Sequence, residues 1–294
     1  VKTTTGMHDI TLKYKLKRRS LTSLKAKEEQ VILHLKVAAS WNELTPDQLL
    51  EIIRIQFSCE PGHLQKLQLL KALLQIKWGV LHLFTAVQRL NLYPLVDFLE
   101  ESKLTRQLLP DVSVRPLEDD EATVLHGPLE RFRNLTFAEF IYADTYFSLY
   151  ARHGKELFLD KLIATLYRPQ REGYNPKSPA YKGDIREDFN ENLIEDRLPL
   201  VQLLPQPTRY AILSWYRGCR KELETIYDLV FTEPNEQKAT EGDWGDVLLS
   251  LSGGKFGHLE QTSSQRVHTV FKEMQRIARE NEEIKRRQNQ NSGI

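Results

Sequence analysis

One carboxylate in this sequence stands where a carboxylate is out of place. Asp144 lies within residues 134–169, NLTFAEFIYADTYFSLYARHGKELFLDKLIATLYRP, on the helical face that carries Phe140 and Phe147, so a helix would carry it towards the core. A buried carboxylate with a raised pKa could act as a general acid or base. A carboxylate paired with an Arg, a Tyr hydroxyl or a helix N-terminus would be structural, since an unpaired buried charge is costly. No second catalytic group is spaced to work with Asp144, which favours the paired reading.

Other residues of chemical type fail on spacing. The stretch 252–258, SGGKFGH, is glycine-rich, but it lacks the G-x-x-x-x-G-K-[ST] order and no apolar strand precedes it, so it reads as a helix-capping turn. Cys59 and His63 stand four apart with Pro61-Gly62 between them, which breaks any helix that could bring two metal ligands together, and no second ligand pair exists. The eight histidines form no H-E-x-x-H or H-x-x-x-H pair, and there is no G-x-S-x-G nucleophile elbow. The expectation is a chain with no catalytic, cofactor or metal site. Lys77 and Arg89 read as solvated surface.

The elements that would position these residues are mostly helical. Thr136 and Glu139 have the spacing of a capping box, Gly154 can close the helix in the left-handed conformation, and a second helix carries Leu157, Phe158, Leu162, Ile163 and Leu166 as far as Pro169. Two helices joined so tightly should pack antiparallel. Upstream, Ile10, Leu12, Tyr14 and Leu16 alternate with polar residues, as do Val31, Leu33, Leu35 and Val37; these two runs predict a β-ribbon with a basic, mobile connection. Thr45, Pro46 and Gln48 mark a helix start whose Leu49, Leu50, Ile52, Ile53, Ile55 and Phe57 surround most of its circumference. That helix should break at Pro61-Gly62, resume over 64–78, and be followed by further helix over 81–101 interrupted at Pro94. Residues 110–134 read as a loop or short extended connector and 168–182 as a loop. A core helix is predicted over 210–231, a polar linker over 234–242 and a short helix over 244–251.

The last helix, from about Gln265, holds the most specific pattern. Val267, Val270, Met274, Ile277, Asn281 and Ile284 alternate in three- and four-residue steps, as heptad a and d positions do, with Asn281 at an a position where it could set register. One reading is a coiled-coil or partner-docking helix, through which the chain could also form a homo-oligomer; the other is an amphipathic helix packed on its own body. On the first reading, removing 265–294 should leave a folded body that no longer assembles.

Composition bounds the remaining classes. With 41 basic and 40 acidic residues the formal net charge is +1, so the chain as a whole is no polyanion binder. Local basic patches, at 13–27 and in the last helix, keep a nucleic-acid-associated factor as the alternative reading, although Glu273, Glu280, Glu282 and Glu283 dilute the second patch. Two cysteines, Cys59 and Cys219, make no disulfide framework. No secretory signal and no membrane-spanning apolar run are read, so a cytoplasmic protein is expected.

The succession of a β-alternating segment running into SWNELTPDQLL, then LTFAEFIYADTYFSLY, DKLIATLYRP and a terminal WGDVLLSLSG with a charged helix resembles uncharacterised proteins encoded in phage and prophage tail-assembly regions, over much of 31–287. The resemblance brings no catalytic residues. It implies a non-enzymatic tail-assembly role, either chaperone-like or at a junction between virion parts, with phage structural proteins as partners, in the cytoplasm or the virion. The expected fold is mainly α, a multi-helix bundle around the central hairpin with a small N-terminal β-ribbon and a C-terminal amphipathic helix. Its expected divisions are a basic arm (1–40), an N-terminal helical subdomain (41–110), a connector (111–134), a helical core (135–233) and a C-terminal segment (243–294).

Overall fold

A computed structural model of the chain describes residues 6–18, 27–115, 121–178, 181, 183–231 and 244–291. Among them are eleven α-helices and two two-stranded antiparallel sheets, which makes the fold mainly α with a small N-terminal β-ribbon. The basic connection of the ribbon and the polar linker at 234–242 lie outside the described residues. The chain divides into two compact units, Val1–Leu104 with Gln206–Ser214, and Thr105–Pro205 with Trp215–Ile294.

In the first unit β1 (His8–Arg18) pairs with β2 (Lys27–Val37) in the register Ile10↔Leu35, Leu12↔Leu33 and Tyr14↔Val31. The period-2 alternation places all six of these side chains on one face, and burial of Leu12 and Val37 anchors that face at its base. A 3₁₀ turn, Trp41–Glu43, follows, and the buried Trp41 indole donates to both Phe98 O and Glu101 O at 3.0 Å. Then α1 (Pro46–Ser58) starts on a complete capping box: Thr45 Oγ1 accepts from the Gln48 amide, and Gln48 Oε1 accepts from the Thr45 amide. The same Gln48 donates through Nε2 to Leu73 O at 2.9 Å, so one side chain caps α1 and ties it to α2 (His63–Leu74).

Two expectations for this unit need correction. The helix resuming after Pro61-Gly62 stops at Leu74, short of Trp78, because Gln75 takes the left-handed conformation (φ 53°) and Lys77 is extended. Gln carries no glycine-like signal for that turn. The helix expected over 81–101 is instead α3 (Trp78–Leu83), α4 (Ala86–Leu92) and a 3₁₀ segment, Tyr93–Glu100. A second capping box, Thr85 with Gln88, starts α4, and proline at the start of the next segment tightens the coil.

The second unit opens with β3 (Asp111–Val114) and β4 (Thr123–His126), so the connector contains a short hairpin. Next come α5 (Phe137–His153) and α6 (Glu156–Leu166), joined through Gly154 at φ 64°, whose amide returns to Tyr150 O. After α7 (Ile194–Gln202), α8 (Gln206–Ile226) runs from the first unit into the second. The chain ends in α9 (Trp244–Leu251), α10 (Leu259–Ser263) and α11 (Val267–Asn291). The starts of α5 and α11 are stitched together by Phe137 N–H to Gln265 O at 2.8 Å and Val267 N–H to Leu135 O at 3.0 Å. This places Phe271 among Phe137, Phe140, Tyr227, Phe231 and Trp244, the aromatic centre of the unit. The apolar face assigned to α6 is buried at Leu162, Ile163 and Leu166, but Leu157, in its first turn, is exposed.

Candidate functional site

Asp144 is 3% exposed and is surrounded by donors. Its Oδ1 accepts from Arg220 Nε at 2.5 Å and from the Tyr216 hydroxyl at 3.3 Å, while Oδ2 accepts from the Trp244 indole at 2.8 Å. Burial pushes the Tyr216 phenol well above its ordinary value and the neighbouring carboxylate pushes it further, so the phenol remains a donor. Arg220 also pairs with Glu224. A carboxylate so occupied joins three helices, α5, α8 and α9. Asp144→Asn is expected to give a folded protein less stable by about 2–3 kcal/mol, the cost of weakening charge-assisted hydrogen bonds in a buried site. Urea unfolding measures it, and an unchanged midpoint would show the contacts to be dispensable.

A second buried network was not visible in the sequence. Thr136 Oγ1 accepts from the Glu139 amide at 3.2 Å, as a cap should, yet the Glu139 carboxylate does not return to Thr136. It accepts instead from Arg168 Nη2 at 2.9 Å and Arg186 Nη2 at 3.0 Å, with all three side chains essentially buried. Two desolvated guanidinium groups outcompete one helix-terminal amide for a carboxylate. Arg186 is further forked onto Asp184, and Arg168 donates to Thr165 O and Glu187 O. The stretch read as loop is thereby fastened to α5 and α6.

The six heptad residues of α11 divide in two. Val267 and Val270 are completely buried in the second unit's own core and Met274 is half-buried, whereas Ile277 is 37% exposed, Ile284 is 52% exposed and Asn281 is exposed. The anchored half is held by polar contacts as well. Gln275 donates to Asp228 at 2.5 Å, and Glu273 accepts from Arg276 at 2.6 Å and Lys255 at 2.9 Å, which holds its carboxyl down at about 2. From Arg279 to Gln290 every residue is exposed, about 18 Å of helix at 1.5 Å per residue. Arg276 pairs with Glu280, Glu282 with Arg286 and Glu283 with Arg287, all four apart, which supports a helix that has no core of its own to rest on.

Among the described residues no group of His, Cys, Asp and Glu could hold a metal ion, and no helix is long and apolar enough to cross a membrane. Comparison with known proteins finds no matching family model, curated protein or solved structure.

Proposed function

We propose that this chain is a non-enzymatic interaction and assembly factor that engages a protein partner through the outer half of α11. The observation that carries the reading is the projection of Ile277, Asn281 and Ile284 on a helix whose inner half is built into the core. An exposed apolar pair at heptad spacing on a charged helix suits helix-to-helix docking, with the polar a position setting register. The assembly we assign it to is the phage or prophage tail, with structural proteins of the virion as partners and the cytoplasm or the virion as its place. The ion pairs of the outer half leave its Arg286 and Arg287 largely matched by glutamates, which suits a protein partner better than a phosphate backbone.

The cut that would test this differs from the one the sequence suggests. Removing 265–294 would take away Val267, Val270 and Phe271, which are completely buried, and would unfold the second unit. Ending the chain after Arg276 spares them. That variant is expected to keep its melting temperature, to lose only the helical circular dichroism of the α11 residues removed, and to lose its protein partners in a tagged pull-down from the native host, performed with nuclease at low and moderate salt. Partners retained by the shortened chain would defeat the proposal; partners lost on nuclease treatment of the full chain would favour nucleic-acid association.

A further inference from the structure

The two isoleucines exposed on α11 belong to a seam that the second unit's own core interrupts. Val267, Val270 and Met274 carry that seam into the core, and Ala278 is the last half-buried residue of the helix. Ile277, Asn281 and Ile284 continue the seam in the open. A helix laid along the open part must stop where the core begins. This decides its direction when the occupant is a second copy of the chain. In a parallel pair each copy's core would lie on the side that faces the other helix, at the same height, and the two cores would overlap. In an antiparallel pair each tip ends against the other copy's core and each core lies beyond the other's tip, so the two-fold contact closes on itself.

The charges beside the seam select one antiparallel register. With Asn281 at an a position, Glu280 and Arg287 occupy g positions and Lys285 an e position. Antiparallel helices bring g positions against g positions and e against e. When Asn281 faces Ile284 of the second copy, Ile277 faces Gln288, Lys285 faces Ala278, and Glu280 lies across from Arg287 twice over. Moving one heptad towards the cores would oppose Glu280 to Glu280 and set Ile284 against Met274, where the core already stands. Moving one heptad away would oppose Arg287 to Arg287. Glu280 and Arg287 also pair within their own helix, with Arg276 and Glu283, but all four side chains are half-exposed or more, and such pairs are worth little against a second choice. Each isoleucine meets an amide side chain and the overlap is short, so the pair is weak and exchanges readily.

We propose that the outer half of α11 pairs antiparallel with that of a second copy, covering the docking face when no other protein occupies it. The inference rests on the reading of that face as the docking surface. Sedimentation equilibrium of the full chain, from about 10 μM to about 1 mM, should show reversible exchange between monomer and dimer. The chain ending after Arg276 should stay monomeric. Glu280→Arg and Arg287→Glu change only exposed side chains. Each should weaken self-association at least about tenfold, because each sets two like-charged pairs across the seam. An equimolar mixture of the two variants should restore association as a heterodimer, since Arg then meets Glu at both places. Monomer throughout, undiminished self-association of either variant, no recovery in the mixture, or a dimer of the shortened chain would overturn the proposal. Arg287→Glu also separates the two directions, because a parallel pair would set residue 287 beside Ser292 and leave association unchanged. The pull-down reads the proposed function separately: self-association without captured proteins would sink that reading alone, and capture by a strictly monomeric chain would sink only the pairing.

Discussion

Glu139→Gln is expected to cost about 3–5 kcal/mol of stability, because it leaves two buried guanidinium groups sharing one fewer carboxylate. Glu139 is 2% exposed, and Arg168 and Arg186 are 1% and 0% exposed, so water cannot replace the lost charge. The two arginines are not equivalent. Burial pulls Arg168 below its ordinary value and Glu139 only partly offsets it, whereas for Arg186 the same burial is outweighed by Glu139 and Asp184 together. Arg168 is therefore the side chain stranded by the substitution. The double variant Glu139→Leu, Arg168→Met removes a charge of each sign and leaves Arg186 with Asp184, so it should be more stable than Glu139→Gln. Urea unfolding of the wild type and both variants supplies the comparison. A loss under about 1 kcal/mol for Glu139→Gln, the range of an exposed pair, would mean that the network is solvated.

Phe271→Ala should be about as severe, at about 3–5 kcal/mol, the usual cost of emptying a buried aromatic site. Phe271 is completely buried, and its ring centroid lies 5.0 Å from that of Phe140, 5.3 Å from Phe231 and 5.5 Å from Trp244. Deleting it removes the contact shared by α5, the turn that follows α8, α9 and α11. A loss of near-ultraviolet dichroism should accompany the lower unfolding midpoint, because the rings around it would no longer be held in fixed orientation. Phe271→Leu, which refills much of the volume, should recover part of the loss. The contrast with the cut after Arg276, expected to be nearly neutral, locates where α11 ceases to be core. Equal stability of Phe271→Ala and the wild type would detach α11 from the body altogether.

What the sequence determined by itself was local. Alternation in 10–16 and 31–37 specified a ribbon and which of its faces turns inward, since a strand's period of two admits one apolar face. Thr45-Pro46 with Gln48, Gly154, and the run from Trp244 to Leu251 marked helix boundaries because caps and stops act within a few residues. The Thr85–Gln88 box was equally legible, though apolar density around it read as longer helix. The discordance of Asp144 was visible from helical spacing alone.

Tertiary structure decided everything that depends on partners distant in sequence. Thr136 and Glu139 have the same spacing whether Glu139 caps its helix or pairs with arginines 29 and 47 residues away, and only the fold brings those arginines within reach. The donors to Asp144 are 72, 76 and 100 residues away. The heptad pattern of α11 is uniform from Val267 to Ile284, yet its first half is core and its second half is surface, because periodicity records which side of a helix is apolar but not how far along it the neighbouring helices extend.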